Sequence, residues 1–235
     1  MMKGHDADAP VAHRRRGEHE TVPHEPATAG GQILAALRAM APPHVTVGTR
    51  EIHDSPLLGG EYDHVRCATP QRRREFASGR ALLRDLIGME VPIPVGKDRA
   101  PVLPDGICAS LAHDRSFVVA AVAKRKHISS IGIDIEPKDP LDEDTARAVL
   151  RPDEVGMDAH LAFTLKEAAY KAWSGLGGPM LEPHDVRLSI LGETFRARVE
   201  QAGTELRGMF AGGGGRWLAL VIVQRTPPRI TDKAD

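Results

Sequence analysis

Residues 128–136 read ISSIGIDIE, a run in which Ile131, Ile133 and Ile135 alternate with Gly132, Asp134 and Glu136. Strict alternation marks a strand with two unlike faces, so the isoleucines turn into a core and the other three residues share the opposite face. Asp134 and Glu136 are then neighbours, roughly 7 Å apart at Cα. Two carboxylates this close repel one another unless a cation or a proton intervenes, and the spacing suits a hard cation such as Mg²⁺. An exposed strand carrying two solvated acids has the same pattern, and the spacing alone does not choose between the two.

Pro137 ends this strand. Beyond it, residues 142–150 and 160–174 read as helices, the second closed by Gly175. Four strand candidates follow, DVRLSIL, TFRARVEQ, TELRGMF and RWLALVIVQ, with glycine-rich turns between them. On the upstream side, ICASLAH turns at Asp114-Arg115 into SFVVAAVA, a β-hairpin preceded by the proline-rich loop VPIPVGKDRAPVLPDG. Before that loop, QRRREFASGRALLRDLI is a helix with Thr69 as N-cap, Pro70 at its first position and Gly88 just past its end. QILAALRAM (32–40) reads as a short helix stopped by Pro42-Pro43, and HVTVGTR (44–50) as a strand. Helix and strands, then helix and strands again, predict an α+β fold of two similar halves, 29–126 and 127–226. Residues 1–28 carry His5, His13, His19, His24 and Arg14-Arg15-Arg16 but almost no large apolar side chains, which predicts a disordered leader. Residues 227–235 are expected to form a flexible tail.

The 31 Lys+Arg and 32 Asp+Glu leave a net charge of -1, which argues against a general nucleic-acid binder but leaves room for a local basic site. Cys67 and Cys108 form neither a disulfide framework nor a CxxC zinc motif, so free thiols in a reducing compartment are expected. No run approaches the length of a membrane span, and the first residues lack the apolar stretch of a secretory signal. These features predict a soluble, cytoplasmic protein with no membrane or nucleic-acid partner.

Three further groups could carry chemistry. In FTLKEAAYKAW (163–173), Glu167 and Lys171 share a helix face, as do Lys166 and Tyr170. Taken alone this is an ordinary amphipathic helix, because Glu followed by Lys four residues on is a common surface pair. Arg72 and Arg80 lie within about 80° of each other on their helix. Lys97 and Arg99 sit in the loop, and His113 ends a strand just before a turn. Cationic groups converging near a carboxylate pair describe a site for a phosphorylated substrate and its metal.

The ordered set REFASGRALLRDLIG, RAPVLPDGICASLAHD, GIDIE and FTLKEAAYKAW resembles the 4′-phosphopantetheinyl transferases of the Sfp type, over about residues 69–188. The likeness is to the branch that serves siderophore, polyketide and nonribosomal-peptide systems. It implies two pseudo-symmetric α/β halves with the active site in the cleft between them, the N-terminal half contacting the nucleotide and the C-terminal half carrying the metal site and catalytic helix. It also implies a monomer that moves the phosphopantetheine arm of coenzyme A to a serine of an apo acyl or peptidyl carrier protein, releasing 3′,5′-ADP.

By the same resemblance Asp134, Glu136 and Glu167 would hold Mg²⁺, with Mn²⁺ as a substitute. Glu167 would act as base, directly or through a water, and Lys171 would neutralise the leaving phosphate. Lys166 would touch the pyrophosphate or the carrier. His113, Arg72 and Arg80 would contact the 3′-phosphate, with Arg99 and Lys97 approaching the nucleotide. The chain departs from the family pattern at Ala112, where a hydroxyl residue is usual, and at Asp114, where cysteine is. The first loses a hydrogen bond to a phosphate and the second adds negative charge if it points inward. Those departures motivate one alternative, a degenerate carrier- or CoA-binding module. The loose Asp114…Glu136-Pro137-Lys138 echo motivates another, a metal-dependent nuclease, which Pro137 in the key strand opposes.

Overall fold

In the computed structural model, which describes residues 28–96 and 99–225, the 128–136 run forms β4 (Ile128–Pro137), the outer strand of a five-stranded antiparallel sheet. The four downstream segments are β5 (Val186–Leu191), β6 (Thr194–Val199), β7 (Thr204–Gly213) and β8 (Arg216–Gln224), and the sheet order is β4-β8-β7-β6-β5. A second sheet of three antiparallel strands runs β1-β3-β2, from β1 (Val45–Glu51), β2 (Ile107–His113) and β3 (Phe117–Lys124). The two halves are therefore unequal in strand number. The chain passes from one sheet to the other in the tight turn between β3 and β4.

Each face has its own cover. Ile131, Ile133 and Ile135 of β4 pack with Leu218 and Leu220 of β8 against Phe117, Val119 and Ala121 of β3, filling the space between the sheets. Helix α1 (Ala29–Met40) adds Ile33, Leu37 and Met40 to this core. Helix α2 (Pro70–Ile87) covers the other face of the small sheet through Leu82 and Leu83 on Val118, Ala120 and Val122. The short α3 (Glu143–Val149) and the long α4 (Ala159–Gly175) cover the other face of the large sheet, α4 burying Leu161, Leu165, Ala168 and Ala172.

The caps follow the sequence logic. Thr69 Oγ1 accepts from the Arg72 amide, Pro70 opens α2, and Gly88 closes it at φ 73 in the left-handed region. α1 starts three residues earlier than its apolar pattern predicts, because Thr28 caps it ahead of Gly30-Gly31. The proline-rich loop is pinned at Ile93, which is fully buried. Its amide donates to Glu61 Oε1 (2.7 Å) and its carbonyl accepts from Arg80 Nε (2.6 Å). Glu61 in turn takes both a 2.8 Å and a 3.1 Å bond from Arg84, a buried pair whose remaining lone pairs are also used.

β2 closes the open edge of β4 with side chains instead of a backbone ladder. Ser110 Oγ accepts from the Ile133 amide at 3.2 Å, and Cys108 Sγ lies 3.9 Å from the Ser129 carbonyl. This seam is the floor on which the cleft between the halves is built. The leader (1–28, apart from Thr28), the tail (227–235) and Lys97 lie outside the described residues. Among the described residues no helix is long and apolar enough to cross a membrane.

Candidate active site

A cleft of about 890 Å³ runs along β2, walled by α2 and the proline-rich loop on one side and by α4 on the other. Arg72, Arg80, Arg99 and His113 line the first wall and Glu167 and Lys171 the second. The topology thus brings the basic groups of one half to face α4 of the other.

On the α4 side, Gly132, Asp134 and Glu136 face the helix. A Cβ at Gly132 would meet the helix backbone itself, 2.7 Å from the Ala172 nitrogen and 2.9 Å from the Ala168 carbonyl carbon. The absent side chain lets α4 lie directly on β4, which sets Glu167 and Lys171 over the strand carboxylates. Lys171 Nζ donates to Asp134 Oδ1 at 2.6 Å and to the Ile133 carbonyl at 3.2 Å. Asp134 Oδ2 is buried and has no partner.

Burial raises the Asp134 carboxyl to about 6 even though the Lys171 ammonium opposes the shift; the Glu167 charge adds to it. Glu136 is pushed up to about 7, first by burial and then by the charge of Asp134. His160 Nε2 stands 3.5 Å from Glu136 Oε2, and its other ring nitrogen is engaged by the Asp139 carbonyl. Among the described residues no three His, Cys, Asp or Glu side chains are already gathered as a metal cage, and Lys171 sits on Asp134. The orphaned Oδ2 and the mutual repulsion of three acids nonetheless fit a divalent cation, which would satisfy both.

On the α2 side, Arg72 Nη1 lies 2.7 Å from His113 Nε2 and 3.2 Å from Glu75 Oε2. His113 Nδ1 is 3.1 Å from the Asp114 carbonyl, so the ring is assigned as the Nδ1–H tautomer with Nε2 accepting from Arg72. Arg80 is buried against the Phe76 ring, 4.3 Å from its centroid, and burial lowers its pKa to about 10. Arg99 reaches the cleft from a left-handed backbone, φ 61.

Residues 60–123, which form this wall and the hairpin below it, match the 4′-phosphopantetheinyl transferase N-terminal domain. The 4′-phosphopantetheinyl transferase Svp of Streptomyces mobaraensis is 35% identical over 184 residues, 70% of this chain and 75% of the relative. The chain belongs to the 4′-phosphopantetheinyl transferase family. The transferase PptT of Mycobacterium tuberculosis is 37% identical over 134 residues, 51% of this chain and 59% of that protein. Enterobactin synthase component D of Salmonella typhi is 28% identical over 139 residues, 52% of this chain and 57% of that protein.

Two expectations drawn from the family pattern need correction. Lys166 does not reach the cleft: it is 3% exposed, and its Nζ donates to Glu154 Oε2 (2.7 Å) and the Val149 carbonyl (2.8 Å). Glu154 also accepts from the Leu188 amide, so the pair clamps α4 to the edge of the large sheet, and Lys166 is structural. Asp114 does not add charge to a phosphate site. It accepts from the Ser116 and Phe117 amides, closing the hairpin turn, and from Arg216 Nε at 2.7 Å. Ala112, 6% exposed, packs among the core residues on the same face of β2 as Ser110 and also borders the cleft beside His113.

Two site residues escape the sequence reading. Glu75 touches the basic cluster, and His160 touches Glu136. His160 stands two helical turns before Glu167 and shares its face, a signal that was available.

Proposed function

We propose that this transferase moves the phosphopantetheine arm of coenzyme A to a serine of an apo carrier protein in a divalent-metal-dependent reaction. The observation that carries the reading is the cleft itself, where Arg72, Arg80 and His113 face Glu167 and Lys171 across a space large enough for a nucleotide. A polyanionic substrate needs a cluster of Arg and His, which reconciles tight binding with a chain of net charge -1.

The serine oxygen attacks the β-phosphorus, the bond from that phosphorus to the bridging oxygen breaks, and 3′,5′-ADP leaves with the bonding pair. Glu167, half-buried at the cleft wall, takes the serine proton directly or through a water. Lys171, held between Asp134 and the Ile133 carbonyl, presents its ammonium to the pyrophosphate. Arg72, Arg80 and His113 bind the nucleotide phosphates and fix the substrate in line. Asp134, Glu136 and Glu167 would hold Mg²⁺ or Mn²⁺, whose charge compensates that of the pyrophosphate.

The free thiols of Cys67 and Cys108 support a reducing, cytoplasmic setting.

The test is intact-mass spectrometry of apo carrier proteins incubated with this protein, CoA and Mg²⁺, beside an EDTA control. A phosphopantetheine mass gain that EDTA prevents is expected. Absence of the gain on acyl and peptidyl carriers alike, from folded protein, would defeat the reading.

A further inference from the structure

A carboxylate in the basic wall of a site for a polyanion is an electrostatic contradiction. Glu75 is such a group: its side chain is 14% exposed and lines the cleft between Arg72 and His113. A free carboxylate there would repel an incoming phosphate and weaken binding. Glu75 is not free. Its Oε1 accepts from Gln71 Nε2 at 3.1 Å, and Gln71 also donates to the Arg115 carbonyl in the β2–β3 turn (3.2 Å). Its Oε2 accepts from Arg72 Nη1 at 3.2 Å and stands 3.7 Å from His113 Nε2. Arg72 is therefore held on the far oxygen of Glu75 and itself donates to His113 Nε2 at 2.7 Å, so one carboxylate ties the first turns of α2 to the end of β2 through Arg72.

We propose that Glu75 is a positioning residue that holds Arg72 and His113 as one pre-formed clamp for a phosphomonoester, the 3′-phosphate of CoA. This rests on the reading of the cleft as the CoA site. The guanidinium of Arg72 sits on a long stem and is half exposed, so without an anchor it would sample many rotamers, and ordering it would be charged against binding. Glu75 does that ordering in the free enzyme. Gln71 does the same for Glu75, since it contacts the carboxylate oxygen that Arg72 does not use.

The two possible roles of Glu75 predict effects of opposite sign. If its charge alone mattered, Glu75→Gln would remove a repulsion and lower the KM for CoA. If orientation matters, Glu75→Gln raises it, by about tenfold for one charged hydrogen bond lost.

The experiment measures steady-state kinetics on an apo carrier, and CoA titration calorimetry, with CoA and with 3′-dephospho-CoA. We expect E75Q to raise KM and Kd for CoA about tenfold with kcat within about twofold, and to leave 3′-dephospho-CoA nearly unchanged. Q71A keeps the charge of the site and is expected to act in the same direction, by about threefold, so it carries the test if E75Q does not fold.

Tighter CoA binding by E75Q, or an equal shift for both nucleotides, would overturn the proposal. R72A and H113A separate its failure from that of the underlying reading. If they discriminate the two nucleotides and E75Q does not, only the role of Glu75 falls. If they do not discriminate either, the phosphate assignment of this wall falls as well.

Discussion

Gly132→Ala is the smallest change that should separate the two halves of the catalytic apparatus. The added Cβ would lie 2.7 Å from the Ala172 nitrogen and 2.9 Å from the Ala168 carbonyl carbon, and nearer still to the Ala168 oxygen. Relaxed contacts between such atoms are about 3.5–4.0 Å, so α4 has to lift from β4 by more than about 1 Å. The obstacle is helix backbone, which cannot step aside by changing rotamer. Overpacking of side chains costs about 1–3 kcal/mol, and a clash against backbone belongs at or above the top of that range. For a domain of this size about 3 kcal/mol lowers Tm by roughly 6–12 °C.

The functional loss is expected to exceed the loss of folded protein. Glu167 and Lys171 ride on α4, while Asp134 and Glu136 ride on β4, and a displacement of about 1 Å between reacting groups can cost on the order of 10²-fold. Urea and thermal melts measure the first effect, and transfer rates normalised to folded protein measure the second. Gly88→Ala is the control, since Gly88 sits at φ 73 with no atom within 4 Å of the new Cβ. It should cost about 1 kcal/mol and leave the rate alone. Wild-type stability and rate in G132A would refute the claim that helix–strand contact at this glycine sets the site.

Other outcomes follow from the same geometry. Lys166→Met should destabilise by about 3–5 kcal/mol because it strands Glu154, and the double variant with Glu154→Gln should recover much of this; a stable K166M with weakened CoA affinity would return Lys166 to the cleft. Asp114→Ala should cost about 2–4 kcal/mol in denaturant melts through the lost turn amides and Arg216, with KM for CoA within twofold, whereas a clear drop in KM would put the acid at the phosphates. Glu136→Gln should stabilise the metal-free protein by about 1–3 kcal/mol at pH 8 while abolishing transfer. Its pKa is raised to about 7, so the folded state binds the extra proton between that value and the ordinary one. Wild-type stability in EDTA should therefore rise as pH falls from about 7 toward 5, and the advantage of the variant should shrink; an advantage independent of pH would contradict the cause assigned to the shift.

What was legible in the chain is what depends on periodicity and caps. The alternation in 128–136 puts Asp134 and Glu136 on one face, and the Thr69-Pro70 and Gly88 pair bounds α2 to within a residue. Neither says which element lies opposite. That α4 crosses β4 is written only in the missing side chain at Gly132, and a lone glycine in a strand has several other uses. Lys166 shows the cost of reading a helix without its neighbour: its place beside Glu167 suggested the cleft, but adjacent helical positions point about 100° apart. When Glu167 faces the cleft, Lys166 must face the sheet edge, where Glu154 waits in a turn that no local pattern ties to it. Glu75 is the reverse case. Three residues after Arg72, it reads as half of an ordinary surface pair, and only the arrival of His113 at the end of β2 turns that pair into part of the cleft wall. The residues hardest to find from sequence are thus those whose partners come from another element, as Lys166 meets Glu154 and Glu75 meets the Arg72–His113 pair.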